Sequence, residues 1–305
     1  MQDAVDMGLV EKINAVSGKH QTREQFIQDC KNRARLPEIY EQAYNCNPSG
    51  SASAIVPWAS IQQCRVDRQI VRMHMEAGQI VEMFGEFVKE TELQRQRKIA
   101  EFIKASYARV FNNPQHYRLG FDVAASGEGD LACMYVDRKE NSQFKLDALF
   151  TCRTSDWDFM ETVLWTLLQN LSSVRGAGDE TGLGRQVCWR TTQQFPNIFT
   201  GVNFSSKKHE MGHALMNQLS TAEKILPLAE EHDDIAQDFF SIRKIFSGGR
   251  WHFAEGRNNL NPNSHCDIAW GGALATKADE GAGGGFTFPP RSPGKRARTK
   301  ERSWQ

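Results

Sequence analysis

The spacing of apolar positions along the chain changes once, near residue 117. Before it, hydrophobic residues recur at helical spacing. Ile80, Val81, Phe84, Phe87 and Val88 form one stripe, and Ile99, Phe102, Ile103, Tyr107 and Val110 another. Between them KETELQRQRK predicts a solvated charged stretch rather than a binding site. NCNPSGSASAIVP at 45–57 is dense in turn formers and predicts a loop or sub-domain boundary. Beyond 117 the runs shorten. YRLGFDVAA, LACMYVDRK and FKLDALFTC are strand-like and separated by turn residues, and connections this short predict an antiparallel meander. TSDWDFMETVLWTLLQNLSS predicts a helix capped by Ser155 or Asp156, with Phe159, Val163, Leu164, Leu167, Leu168 and Leu171 on its apolar face. SSVRGAGD predicts a brief strand of weak propensity ending at Asp179. TGLGRQVCWRTTQQF then predicts a helix, NIFTGVNF a strand and SSKKHEMGHALMNQLSTAE a helix. The order βββαβαβα predicts an α/β domain with helices covering a mixed central sheet. The chain therefore divides into a mainly helical segment (1–112), an α/β domain (113–278) and a glycine-rich, basic, disordered tail (279–305).

Composition narrows the partners. Lys+Arg and Asp+Glu both number 37 in the 305 residues, yet residues 281–305 carry a net +5 and leave the body at about −5. Contact with nucleic acid must then use local patches or bound cations rather than a broadly basic surface. The seven cysteines are odd in number and never form CxxC, which argues against a zinc ribbon or a disulfide framework and for a reducing compartment. No apolar run approaches the ~20 residues of a membrane span, and MQDAVDMGLVEKI has no signal-peptide core. A cytoplasmic protein without a membrane partner is expected. GxxxxGK[ST] does not occur, so unaided ATP hydrolysis is not expected.

Candidate chemistry lies in three separated acidic positions. Asp122 in RLGFDVAASGEGD and Asp179 in VRGAGDETGLG close strand-like runs, and Asp267 in NSHCDIAWGGALA opens an apolar helix. A carboxylate at such an edge is pinned by the sheet yet reachable, as a ligand for a hard divalent cation must be. Each alone reads as a turn former or helix cap. In a βββαβ domain the first strand is central and the fourth pairs beside it in parallel, which would set Asp122 beside Asp179, with Asp267 reaching both from above. Asp130, eight residues after Asp122, is either a fourth carboxylate or a hairpin-turn residue. Gly182 and Gly184 would let the backbone turn tightly after Asp179.

FDVAASGEGD, DETGLG and HCDIAWGGALA together resemble the three acidic motifs in the nuclease domain of tailed-phage terminase large subunits, in a layout most similar to Mu-like phages and prophages. The resemblance covers about 115–278. It implies a ribonuclease H-like fold and a metal-dependent DNA endonuclease of phage DNA packaging that uses two Mg²⁺ or Mn²⁺ ions. Asp122, Asp179 and Asp267 would be the metal ligands and catalytic carboxylates, with Asp130 auxiliary. Asp122 would be shared, Asp179 serving the ion that activates water and Asp267 the ion at the leaving 3′ oxygen. FSSKKHEM resembles the family's strand-to-helix step with a lysine, so Lys207 or Lys208 would contact the DNA backbone or the active site; a solvent-exposed first turn is the alternative. Large terminases also carry an ATPase that this chain lacks, and residues 1–64 resemble the segment leaving it. Implied partners are double-stranded DNA, the portal protein, the small terminase subunit and a separate ATPase domain, in the host cytoplasm. A non-catalytic packaging remnant binding portal or DNA through the basic tail is the alternative.

His209-Glu210-Met211-Gly212-His213 matches HExxH, the zinc-protease spacing that sets two histidines one helical turn apart with Glu as base. Lys207 and Lys208 directly before it oppose a cation, and a third ligand would have to be Glu230, Glu231 or His232. Surface-helix residues at chance spacing are the preferred reading. His265, beside Asp267, is read as polarity at the start of a helix or as a proton-transfer aid.

Overall fold

A computed structural model describes residues 2–34, 40, 44, 54–124, 131–247, 250–256, 258–261 and 264–280. Asp130 and the basic tail lie outside these, as do most of the turn-rich 45–57 segment and the tail-dependent remnant reading. The N-terminal helices are α1 (Gln2–Asp6), α2 (Leu9–Ser17), α3 (Arg23–Ala34) and α4 (Trp58–Gln63). Strands β1 (Arg65–Val66) and β2 (Val71–Glu76) follow, then helices α5 (Ala77–Phe84), α6 (Glu92–Ser106) and α7 (Ala108–Phe111). The meander is β3 (Tyr117–Asp122), β4 (Ala132–Glu140) and β5 (Gln143–Arg153). After it come α8 (Trp157–Asn170), β6 (Val174–Asp179), α9 (Arg185–Gln194), β7 (Phe199–Val202), α10 (Phe204–Ser220) and β8 (Lys224–Pro227). The chain continues through α11 (Asp233–Ser241), β9 (Ile242–Ser247), β10 (Arg250–Glu255) and α12 (Asp267–Glu280).

The main sheet runs β1-β8-β5-β4-β3-β6-β7, with β2 sharing the outer edge of β5. β4 is antiparallel to β3 and β5, and every other pairing in this sheet is parallel. The central order β5-β4-β3-β6-β7 is the mixed sheet expected from the pattern, in the ribonuclease H-like arrangement that the resemblance implied. The meander arises because loops of two residues (β4–β5) and nine residues (β3–β4) are too short for a parallel crossover.

Both faces are covered. Leu119, Phe121, Met134, Val136, Ala148 and Phe150 pack on one side with residues from α5, α6, α8 and α9. Cys133, Tyr135, Leu149 and Ala177 pack on the other with residues from α4, α10, α11 and α12. Burial on both sides explains why the strands read as continuous apolar runs. Asp156 is the cap of α8, accepting from Phe159 N at 3.0 Å. Among the described residues no helix is long and apolar enough to cross a membrane.

The structure departs from the sequence reading at several points. α5 ends at Phe84, leaving Phe87 and Val88 beyond it and exposed. Within KETELQRQRK, Arg95 is buried on α6 and pairs with Asp156 and Asp158 rather than being solvated. Two departures are larger. The helical lead-in contains β1 and β2, and β2 hydrogen-bonds along β5 from Val71↔Ala148 to Glu76↔Arg153. VRMHME alternates apolar Val71, Met73 and Met75 with polar Arg72, His74 and Glu76, a period-two strand signal that the reading of helical stripes on either side of it passed over. Pairing along the edge of β5 gives this alternating segment its partner and its register. The second departure is the 224–255 region, which holds β8, α11 and the β9–β10 hairpin with no counterpart in the predicted order.

Gly120 fixes how α12 meets the sheet. A Cβ there would overlap the Gly271 carbonyl oxygen and the Ala275 nitrogen, so the helix backbone lies directly on β3. Gly271 continues the close approach against Cys133 and Tyr135. Because the obstructing atoms are backbone and cannot rotate away, Gly120→Ala should cost about 3 kcal/mol, the upper end for overpacking. A urea midpoint shift measures this; an unchanged midpoint would mean that α12 does not sit this close.

Candidate metal centre

β3 ends at Asp122 and β6 at Asp179. The two strands are parallel, with Phe121 opposite Gly178, so the next residue on each sets Asp122 beside Asp179 at the ~4.8 Å strand spacing. Side chains alternate along β3. Phe121 enters the core on one face, while Asp122 shares with Gly120 the face that carries α12. Asp267 is the first residue of α12, which packs along β3, β4 and β6. The charges of Asp267 and Asp179 both act on Asp122. The three predicted positions therefore lie at the same end of the sheet, near enough for their charges to act on one another.

Each carboxylate is held differently. Thr181 donates to Asp179 Oδ1 through its backbone N at 2.8 Å and its hydroxyl at 2.6 Å. The turn that follows needs both glycines: Gly182 has φ +53°, and a Cβ on Gly184 would overlap the Asp179 carbonyl oxygen. Asp267 Oδ2 accepts from Leu131 N at 3.2 Å and His265 N at 3.3 Å, joining the start of α12 to the β3–β4 connection. His265 thus contributes its backbone to the site, while its side chain is exposed. Burial pushes the Asp122 carboxyl well above the usual range, and Asp267 and then Asp179 push it further. The thiol of Cys133, opposite Asp122 on β4, is pushed up by burial and then by Asp122.

A fourth acidic residue was missed by sequence reasoning. Asp238 on α11 is fully buried, and its charge also acts on Asp122. A signal was present: in DDIAQDFF it falls on the stripe of Ile235, Phe239 and Phe240, all of which are buried. A carboxylate on an apolar helix face needs a reason to be there.

Among the described residues no three His, Cys, Asp or Glu side chains converge closely enough to hold an ion as they stand. The donor set nonetheless suits a hard divalent cation. It consists of carboxylate oxygens, and the central member, Asp122, lies where its charged form is disfavoured by burial and by its acidic neighbours. A bound cation would reverse that imbalance.

The other predicted positions lie on α10. Asn203 caps this helix through Ser206 N at 3.0 Å, directly after β7. Lys207 is half exposed and pairs with Glu210 at 2.9 Å. Lys208 pairs with Glu255 and lies 5.1 Å from the Trp270 ring centre. In HEMGH the His209 and His213 rings meet at 4.5 Å and both pack on Phe253. Hydrogen bonds from Lys207 and then Lys277 pull the Glu210 carboxyl down to about 2, a poor match for a general base. This geometry favours the surface-helix reading of the motif.

No protein-family model matches the chain, and no curated protein matches it. Among solved structures it is similar to the large terminase nuclease from thermophilic phage G20c with bound magnesium, at 17% identity and a TM-score of 0.44 over 53% of this chain and 81% of that one. It is also similar to the large terminase nuclease domain of bacteriophage SPP1 with bound Mn, at 12% identity and a TM-score of 0.37 over 57% of this chain and 90% of that one. The HK97 bacteriophage large terminase is 10% identical with a TM-score of 0.44; 81% of this chain aligns with 49% of that protein. At these identities and scores, assignment of function falls to the chain's own residues.

Proposed function

We propose that this chain is a metal-dependent DNA endonuclease of the terminase large-subunit type, acting in phage DNA packaging by a two-ion mechanism. The observation that carries the proposal is the side-by-side placement of Asp122 and Asp179 at the ends of the two central parallel strands, with Asp267 facing them from α12. Asp122, Asp179 and Asp267 would hold two Mg²⁺ or Mn²⁺ ions, Asp122 being shared. When bound, such ions supply a water of lowered pKa and stabilise the departing oxygen of a phosphodiester. Holding an ion requires Asp122 to be ionised, so affinity should rise with pH. Thr181 on Asp179 and the backbone N–H groups on Asp267 restrict the two flanking carboxylates, which is the preorganisation such a site needs. Backbone and metal contacts carry no base information, so cutting should show little sequence preference.

Asp122→Ala, Asp179→Ala and Asp267→Ala should each abolish plasmid nicking in Mn²⁺. Undiminished cutting by all three variants sinks the proposal. Asp130 is retained as an auxiliary carboxylate. Lys207, half exposed in the first turn of α10 and held only by a surface pair with Glu210, is the better DNA-backbone contact, because Lys208 is less exposed and packs on Phe204 and Trp270 as well as pairing with Glu255. Lys207→Ala should weaken DNA binding about equally for all sequences and reduce the salt slope by about 1. Fluorescence anisotropy at several salt concentrations reads this, and an unaltered slope removes Lys207 from the interface. The portal protein, the small subunit and a separate ATPase domain are the partners proposed for a chain of this type.

A further inference from the structure

Asp238 is the buried polar group whose surroundings say most about the site. Its side chain is completely enclosed, and both oxygens are engaged. Oδ1 accepts from Ser264 Oγ at 2.6 Å and Asn258 Nδ2 at 3.0 Å. Oδ2 accepts from Ala269 N at 3.0 Å. Asn258 and Ser264 are themselves fully buried. Asn258 also organises the loop ahead of the helix, its Oδ1 accepting from Leu260 N at 3.0 Å and Asn261 N at 3.1 Å.

The Ala269 contact has a specific meaning. Ala269 is the third residue of α12, and its N–H is one of the donors a helix leaves without an intrahelical partner. A Ser, Thr, Asp or Asn just before the helix usually accepts it. Here the preceding residue is Cys266, at φ +67°, a poor acceptor in a left-handed turn. Asp238 supplies the missing cap from another helix.

We propose that Asp238 is the positioning residue for Asp267: it caps α12 in trans and, through Ser264 and Asn258, locks the turn that aims Asp267 at Asp122. It touches neither substrate nor ion in this scheme. It acts through the first turn of α12, and its enclosed carboxylate adds to the negative field at Asp122. This inference rests on the metal-site reading above.

The test is direct Mn²⁺ binding by titration calorimetry on the full chain, with the half-saturating Mn²⁺ concentration for nicking measured in parallel. Asp238→Asn keeps the shape, removes the charge and turns an amide NH2 toward a donor that the carboxylate had accepted. It should raise the Mn²⁺ Kd by about 10–100-fold, the effect of losing an outer-shell partner, and raise the half-saturating concentration equally. Ser264→Ala leaves the carboxylate in place and removes one donor, so it should shift both quantities in the same direction by less. A purely structural cap would lower the melting temperature and leave Kd unchanged, and that result overturns the proposal. Should Asp238→Asn fail to fold, Ser264→Ala decides alone, and a wild-type Kd there overturns it. Asp122→Ala separates the two layers of argument. Wild-type Mn²⁺ affinity in that variant brings down the metal-site reading and this inference with it. Lost affinity in Asp122→Ala beside wild-type affinity in Asp238→Asn brings down this inference only.

Discussion

Asp137→Asn should destabilise the protein by about 3–5 kcal/mol, the cost of removing one partner from a buried ion pair. Asp137 is fully buried on β4 and accepts from Arg118 Nε at 2.8 Å and Nη2 at 2.7 Å, and from Lys224 Nζ at 2.9 Å. Arg118 and Lys224 are almost wholly enclosed as well. Two cations therefore depend on one anion. Burial alone would push the Asp137 carboxyl up, but Arg118 and then Lys224 outweigh it and hold it at about 2. An amide leaves both cations without a counter-charge in a site water does not reach. Domains of this size lose about 2–4 °C per kcal/mol, so the melting temperature should fall by on the order of 10 °C. A shift below a couple of degrees would mean that water or a rearranged side chain compensates.

The same cluster sets a pH dependence with a defined sign. Burial pushes the Lys224 ammonium down to about 8, against the pull of Asp137. Between about 8 and the ordinary lysine value near 10.4 the unfolded chain binds more protons than the folded one, so this group makes stability rise with pH across that window. Lys224→Met keeps the bidentate Arg118–Asp137 pair and removes the surplus buried cation. It should cost far less than Asp137→Asn and abolish this contribution, which chemical denaturation at pH 8 and pH 10 resolves.

Asp122→Asn is expected to move stability and activity in opposite directions. The buried carboxyl is held above its ordinary range by burial, Asp267 and Asp179, so its ionised form is unfavourable in the folded protein without a cation. A raised carboxyl pKa contributes stability that is full below the unfolded value and lost as pH rises through the folded one. Asparagine cannot ionise. Without metal, its advantage over wild type should grow as pH increases from about 4, the ordinary aspartate value. With Mn²⁺ the order reverses, since wild type gains binding energy that the variant has forfeited. Nicking should fall by more than the ~10–100-fold of an outer-shell loss, because a ligand shared by both ions is removed. Thermal melts over pH, with and without Mn²⁺, read this directly. Equal Mn²⁺-induced shifts in the two proteins would remove Asp122 from the site.

These expectations also show how far reading residues in order can go. The order of elements from β3 to α10 follows from local pattern, because short apolar runs, short polar connections and a capped amphipathic helix are each set by neighbours in sequence. The three aspartates were found in the same way, since each sits where one element meets a turn. The weak strand VRGAGD became intelligible only in three dimensions: Gly176 and Gly178 leave room for the Phe199 ring, which a Cβ at either position would meet at 2.7 and 2.6 Å.

What the sequence determined by itself was the central βββαβαβ order and both glycines of the DETGLG turn, because these depend on periodicity and on short-range backbone chemistry; the three carboxylates it supplied as candidates. What only the tertiary structure decided was which distant groups meet. β2 takes its place and register from β5, along which it pairs from Val71 to Glu76, and Glu210 of HEMGH is bound by Lys277, 67 residues away. Asp238 meets the Ala269 N–H because α11 and the start of α12 face each other, 31 residues apart in the chain. Local pattern carries no information about such meetings; burial, charge pairing and the filling of an unoccupied helix cap determine them.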